Sequence, residues 1–132
     1  MNTHHAHFMR LSNSLQATFS VRKKKTPTNS LTQSILRYVN YNGFKCWRNN
    51  NGAIYSVKQK TFRKNPSSLL GISDIIGFRK SDGKFIAIEI KTGKDKLSAH
   101  QLIFISDIRS AGGIAIVAKS FEQFEDEFKK HL

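Results

Sequence analysis

Hydrophobic and polar positions change period several times along this chain, and each change marks an element. Leu31, Ile35, Leu36 and Val39 recur at the three- and four-residue intervals of one helix face. Ser30-Leu31-Thr32-Gln33 has the spacing of a capping box and predicts the start of that helix, and Gly43 predicts its stop. Phe44 to Arg48 reads as a strand anchored in the core by Trp47, Asn49-Asn50-Asn51-Gly52 as a turn, and Ala53 to Val57 as a second extended stretch. Lys58 to Pro66 reads as a loop carrying four cations around Phe62. Ile75 to Arg79 and Phe85 to Lys91 then form two apolar, β-branched runs flanking Lys80-Ser81-Asp82-Gly83, which predicts a hairpin. Ser98 to Ser110 is predicted helical, Gly112-Gly113 ends it, Ile114 to Lys119 is a buried strand, and Ser120 to His131 is a last amphipathic helix. The pattern predicts an α/β fold of order α-β-β-β-α-β-α, a mixed central sheet flanked by helices, with no internal repeat.

The hairpin concentrates the chemistry. Period-two alternation sends Ile86, Ile88 and Ile90 to one face and Phe85, Ala87, Glu89 and Lys91 to the other. If Lys80 to Gly83 form a four-residue loop, Asp74 falls opposite Glu89; a tight Asp82-Gly83 turn pairs Asp74 with Lys91 instead. Either register keeps Asp74 on the Glu89 face, because the intermediate one would place it among the isoleucines. Facing carboxylates repel in a purely structural hairpin, and a cation removes that objection. Oxygen donors from Asp74 and Glu89, completed by a main-chain carbonyl such as that of Ile90, suit Mg²⁺ or Mn²⁺ better than zinc, which favours Cys/His spacing. Spacing alone leaves a second reading open, in which Glu89 and Lys91 form an exposed ladder and Asp74 caps a turn. Gln101 is likewise open between two roles, since Ser98-x-x-Gln101 is a capping box ahead of an apolar helix.

Charge adds a partner to the picture. The 132 residues carry a formal net charge of +13 with a pI near 10.2, which favours a polyanion. Its distribution is uneven: residues 1–73 hold 12 Lys/Arg and no acid, while residues 74–132 hold 10 Lys/Arg and 9 acids. Exclusion of carboxylates over so long a stretch suits contact with phosphates. Residues 1–27 read as a flexible basic arm ending in Arg22-Lys23-Lys24-Lys25-Thr26-Pro27, and residues 28–132 as one domain. An acid-free arm of this kind also fits a transit peptide, or an overlong start with Met9 as the initiator. Cys46 is the single cysteine, so no intrachain disulfide forms and a reducing, cytoplasmic setting is expected. No apolar run approaches the ~20 residues that span a bilayer, so a soluble protein with no membrane partner is expected.

Asp74, Glu89-Ile90-Lys91 and Gln101 together resemble the core of the PD-(D/E)XK nuclease superfamily. More narrowly, Gly-Ile-Ser-Asp-Ile-Ile-Gly from Gly71, Ile-Glu-Ile-Lys-Thr-Gly from Ile88, Leu-Ser-Ala-His-Gln from Leu97 and Gly-Gly-Ile-Ala-Ile-Val-Ala from Gly112 resemble the VRR-NUC domains, including small phage and bacterial members. The resemblance extends from about Ser30 to the C-terminus. It implies a restriction-endonuclease-like fold, Asp74 and Glu89 as metal ligands with the Ile90 carbonyl, Lys91 as the residue that orients water and offsets developing charge, and Gln101 as a support from the following helix. Ser73 stands where the wider superfamily usually has proline. Such families also carry a glutamate on the first core helix, whereas this chain has no acid before Asp74 and Gln33 is the nearest polar residue there.

The function so implied is metal-dependent endonucleolytic hydrolysis of DNA, acting on branched substrates such as four-way junctions or flaps, with a homodimer where paired cuts are needed and no small-molecule organic cofactor. Arg48, Asn49, Asn50, Lys58, Lys60, Arg63 and Lys64 are the expected nucleic-acid contacts. The alternatives are a non-catalytic DNA-binding accessory protein that keeps the fold, and a single-strand or RNA binder using Trp47, Phe62 and the basic arm.

Overall fold

A computed structural model of the chain describes residues 26–49, 52, 54–64 and 69–132. The expected basic arm up to Lys25, and the contact residue Asn50, lie outside the described residues. Thr26 and Pro27, assigned above to the arm, instead open the first helix, α1 (Pro27–Tyr41). Thr26 is its N-cap, its hydroxyl accepting from the Asn29 N–H, and Pro27 occupies the first turn, where a missing N–H costs nothing. The helix therefore starts earlier than Ser30, because a threonine followed by proline is the stronger start signal.

The remaining elements are β1 (Phe44–Arg48), β2 (Ile54–Ser56), β3 (Thr61–Arg63), β4 (Ile75–Arg79), β5 (Phe85–Ile90), α2 (Ala99–Ser110), β6 (Ile114–Ala118) and α3 (Phe121–Lys129). The main sheet has the order β1-β4-β5-β6, antiparallel between β1, β4 and β5 and parallel between β5 and β6. Its elements run α-β-β-β-α-β-α, as the sequence pattern predicts, consistent with a restriction-endonuclease-like core. The difference lies between β1 and β4. There β2 and β3 form a separate two-stranded sheet, so part of the expected Lys58–Pro66 loop is a strand.

Alternation along β5 builds two unequal layers. Ile86, Ile88 and Ile90 join Ile75, Ile114 and Ile116 under α1 and α3, where Ile35, Val39, Phe124 and Phe128 are buried. Tyr38 meets the rings of Phe121 and Phe128 edge-on at centroid distances of 5.4 and 5.6 Å, and Phe44 lies 5.0 Å from Phe128. The opposite face is thinner: Ile105 and Ile108 of α2 rest on Ala87 and Ala115. Trp47 shares this second face through its pairing with Ile76 but is 47% exposed, not a core anchor. β1 is the edge strand, and the cover that α2 gives to Ala87 and Ala115 does not extend to it.

The other edge, β6, is blunted by side chains. Arg109 donates to the Ala115 carbonyl from Nη2 at 2.8 Å, and Gln123 donates from Nε2 to the Val117 carbonyl at 3.1 Å. Acceptors that could recruit a foreign strand are thereby occupied. Cys46 is buried on β1, where burial pushes its thiol up to about 11 and keeps it in the unreactive form. Among the described residues no helix is long and apolar enough to cross a membrane.

Candidate active site at the end of the sheet

The hairpin adopts the register of the four-residue loop. Phe78 pairs with Phe85 and Ile75 with Ile88, and the Arg79 N–H donates to the Lys84 carbonyl at 2.8 Å to close the ladder. One residue beyond Ile75, the same register sets Asp74 against Glu89. Counting from the bonded Arg79–Lys84 pair, this is a non-hydrogen-bonded position, where opposing Cα atoms approach to about 4.5 Å and side chains crowd. The Asn49 N–H donates to the Asp74 carbonyl at 2.8 Å, which continues the row into β1. Asn49, Asp74 and Glu89 therefore stand side by side on the α2 face.

Each acid is held differently. β4 begins only at Ile75, and the Ile90 N–H, next in line for a ladder bond, is taken by Asp74 Oδ2 at 2.8 Å. Asp74 is thus fixed by the strand it faces. Glu89 is 3% exposed. Its Oε1 accepts from Gln101 Nε2 at 2.7 Å and faces Lys91 Nζ at 3.6 Å, while Oε2 is buried without a hydrogen-bond partner. Burial first, and the Asp74 charge second, push the Glu89 carboxyl up to about 7, with Lys91 pulling the other way.

Gln101 caps its own helix and also bonds Glu89. Oε1 accepts from the Ser98 N–H at 2.9 Å, the Ser98 hydroxyl accepts from the Gln101 N–H at 3.2 Å, and the remaining amide nitrogen reaches Glu89. The capping box fixes the amide orientation, so the first turn of α2 presents a donor to the carboxylate. Gly71 makes that approach feasible. It has φ +80°, and a Cβ there would overlap the main chain of His100 and Gln101, so the segment leading to Asp74 crosses the start of α2 where only glycine fits. On the other side, Thr28 of α1 and Thr92, next after Lys91, share a hydroxyl hydrogen bond of 2.8 Å.

Three buried polar atoms lack partners among the described residues: Asn49 Nδ2, Ser73 Oγ and Glu89 Oε2. All three belong to neighbours of Asp74, in the chain or across the sheet. Buried polar groups are almost always paired, so their concentration at one sheet end marks a place built for something other than packing. The donor set, with an unpaired carboxylate oxygen and a second carboxylate beside it, fits a hard divalent cation. No group of three or more His, Cys, Asp or Glu forms among the described residues; backbone and solvent oxygens would complete the shell.

The structure thus brings together Asp74, Glu89, Lys91, Gln101 and Asn49, and leaves others apart. Arg48 pairs with Ile75 and so lies on the opposite face, where Nη2 donates to Asn29 Oδ1 at 3.0 Å. Period two puts it there: one step from Asn49 is one change of face. Gln33 is exposed on α1, which covers that same opposite face. Lys58, Lys60, Arg63 and Lys64 belong to the β2–β3 hairpin or its flank. Sequence reasoning missed the contribution of Gly71, whose contact with the start of α2 no local pattern shows.

Fold and site together define an α/β domain with two carboxylates and a lysine gathered at one end of its sheet. The model of the VRR-NUC domain matches residues 20–122, and the chain belongs to that family, a nuclease family of the PD-(D/E)XK superfamily. DNA is accordingly its partner, and divalent metals are generally used in the family. The chain matches no curated protein.

Proposed function

We propose that the chain is a metal-dependent DNA endonuclease hydrolysing phosphodiester bonds, with branched DNA such as four-way junctions or flaps as substrate. The observation that carries this reading is the orphaned Glu89 Oε2 beside Asp74, with the Lys91 ammonium 3.6 Å from the other oxygen of the same carboxylate. Asp74, Glu89 and the Ile90 carbonyl would hold Mg²⁺ or Mn²⁺; the Ile90 carbonyl leaves the strand on the same side as the N–H that Asp74 accepts. When bound, the cation supplies Lewis-acid polarisation of the scissile phosphate.

The chain's own residues do the rest. Gln101 holds the Glu89 carboxylate in one orientation through a capped amide. Lys91, its side chain 14% exposed, is desolvated enough for its charge to count, and it offsets the negative charge that builds on the phosphoryl oxygens. Asn49 offers an unpaired buried donor for a phosphate oxygen beside Asp74. Lys58, Lys60, Arg63 and Lys64 would contact the DNA backbone from the hairpin, and Arg48 from the opposite face. Paired cuts in a four-way junction need two sites, so this reading entails a homodimer. The buried single cysteine fits a reducing compartment.

A second reading, a binder that keeps the fold without cleaving, is favoured by one observation: no acid precedes Asp74. Incubating the protein with labelled linear, flapped and four-way DNA in Mg²⁺, Mn²⁺ or EDTA separates the two. Metal-dependent cuts that fall roughly 10²–10³-fold in Lys91→Ala, with binding retained, establish the enzyme. Salt-sensitive retention without cuts in either metal establishes the binder.

A further inference from the structure

The β2–β3 hairpin is the one described part of the chain that pairs with no other sheet element. It holds a cross-strand pair, Tyr55 opposite Phe62, with ring centroids 5.2 Å apart at an interplanar angle of 64°. The two rings remain 51% and 70% exposed. Such a pair steadies a hairpin, yet hairpin stability alone does not call for rings presented to solvent. Lys58 and Lys60 stand in the turn and Lys64 follows β3, all exposed, while Arg63, paired with Ile54, is one step from Phe62 and so belongs to the other face of the hairpin; no acid lies anywhere before Asp74.

Position adds to composition. The hairpin is inserted between Asn49 and Asp74, and its neck is closed by the Asn49 N–H to Asp74 carbonyl bond. It therefore grows from the end of the sheet that carries the carboxylates. Six residue steps separate Asn49 from Tyr55, a reach of at most about 20 Å, so a strand whose phosphate lies by Asp74 and Glu89 has its neighbouring nucleotides within range of the rings.

We propose that Tyr55 and Phe62 form a base-stacking site for unpaired nucleobases of DNA, flanked by cations that hold the adjoining phosphates. Two exposed rings with cations in the adjoining turn and no carboxylate match the chemistry of single-strand recognition, in which every base offers a π-face and sequence matters little. Bases within an intact duplex are already stacked and present no free face. The site thus selects DNA with an open segment, such as a flap base or the centre of a junction, and it rests on the nuclease reading only for the position of the cut, since stacking itself needs neither metal nor acid.

Fluorescence of 2-aminopurine tests it in EDTA, using a 12-nucleotide single strand and the matching duplex, each with one such base. The wild type quenches the single-strand probe. Tyr55→Val with Phe62→Ile keeps an apolar, strand-favouring pair but removes both π-faces, so quenching is lost and single-strand affinity falls roughly 5- to 150-fold, with duplex affinity within about twofold. Phe62→Tyr retains the quench. The proposal is overturned if the double variant binds the single strand as the wild type does, or loses single strand and duplex equally. Cleavage in Mg²⁺ without any quench also overturns it and leaves the nuclease reading standing. A quench without cleavage in either metal does the reverse.

Discussion

The two faces of β5 are one residue apart in the chain and opposite in purpose. On one side Ile86, Ile88 and Ile90 disappear beneath α1 and α3 among aromatic rings. On the other, Ala87 gives α2 a flat seat, and the next residue on that face is a buried carboxylate with one oxygen unpartnered. The comparison teaches where this fold keeps its stability and where it gives some up. A thick layer on one side lets the sheet end tolerate two facing acids on the other.

Ile88→Ala and Glu89→Gln would break that comparison most sharply. Removing the Ile88 side chain from a fully buried position should cost about 2–5 kcal/mol, read as a lower urea midpoint. Glu89→Gln should abolish metal-dependent cleavage while leaving the midpoint unchanged or higher, since an ionisable group raised to about 7 is replaced by a neutral one. A Glu89→Gln protein that unfolds as readily as Ile88→Ala would mean that both faces are structural.

Gly71→Ala comes next. Its Cβ would meet the His100 and Gln101 main chain at a positive φ, so a loss of roughly 1–3 kcal/mol is expected. Because the start of α2 must shift, cleavage should fall further than the stability change explains. A variant with altered stability and full activity would uncouple Gly71 from the Gln101–Glu89 bond.

Titration offers a milder probe of the same face. In metal-free protein the Glu89 carboxyl lies at about 7 against an ordinary 4.5, so the folded chain holds the proton more tightly than the unfolded one. Stability from this group is present below pH 4.5, declines as pH rises toward 7 and is gone above it. Urea unfolding in EDTA at pH 5 and 8 should show that decline, and Glu89→Gln should remove it. An unchanged slope in the variant would assign the decline to other groups.

The smallest effect belongs to the thick layer. Thr26→Ala removes the α1 N-cap and should cost about 1 kcal/mol without touching cleavage, a difference thermal melts and the same nuclease assay would register.

Much of this was legible in the chain itself. Alternation from Phe85 to Lys91 separates core from site because a strand's period is two whatever surrounds it, and burial of the isoleucines ruled out the register that would have scattered the acids. The Ser98-x-x-Gln101 spacing announced a cap from local geometry alone. Trp47 and Arg48 were less tractable: large apolar and cationic side chains carry no record of which strand is the edge or how far a helix extends over it, and here Trp47 stands half-exposed while Arg48 turns toward Asn29.

Local pattern, then, was enough to determine the helices and the strands of the main sheet, their order, and the face shared by Asp74, Glu89 and Lys91, since each follows from periodicity and short-range bonding; it read β3 as a loop. The folded backbone decided the rest: that the hairpin closes through a four-residue loop, that Tyr55 and Phe62 meet across β2 and β3, that Gln101 reaches Glu89 while capping its own helix, and that Gly71 meets the main chain of His100. The last two join separate elements, and all of them depend on how close two backbones come, which no spacing rule encodes.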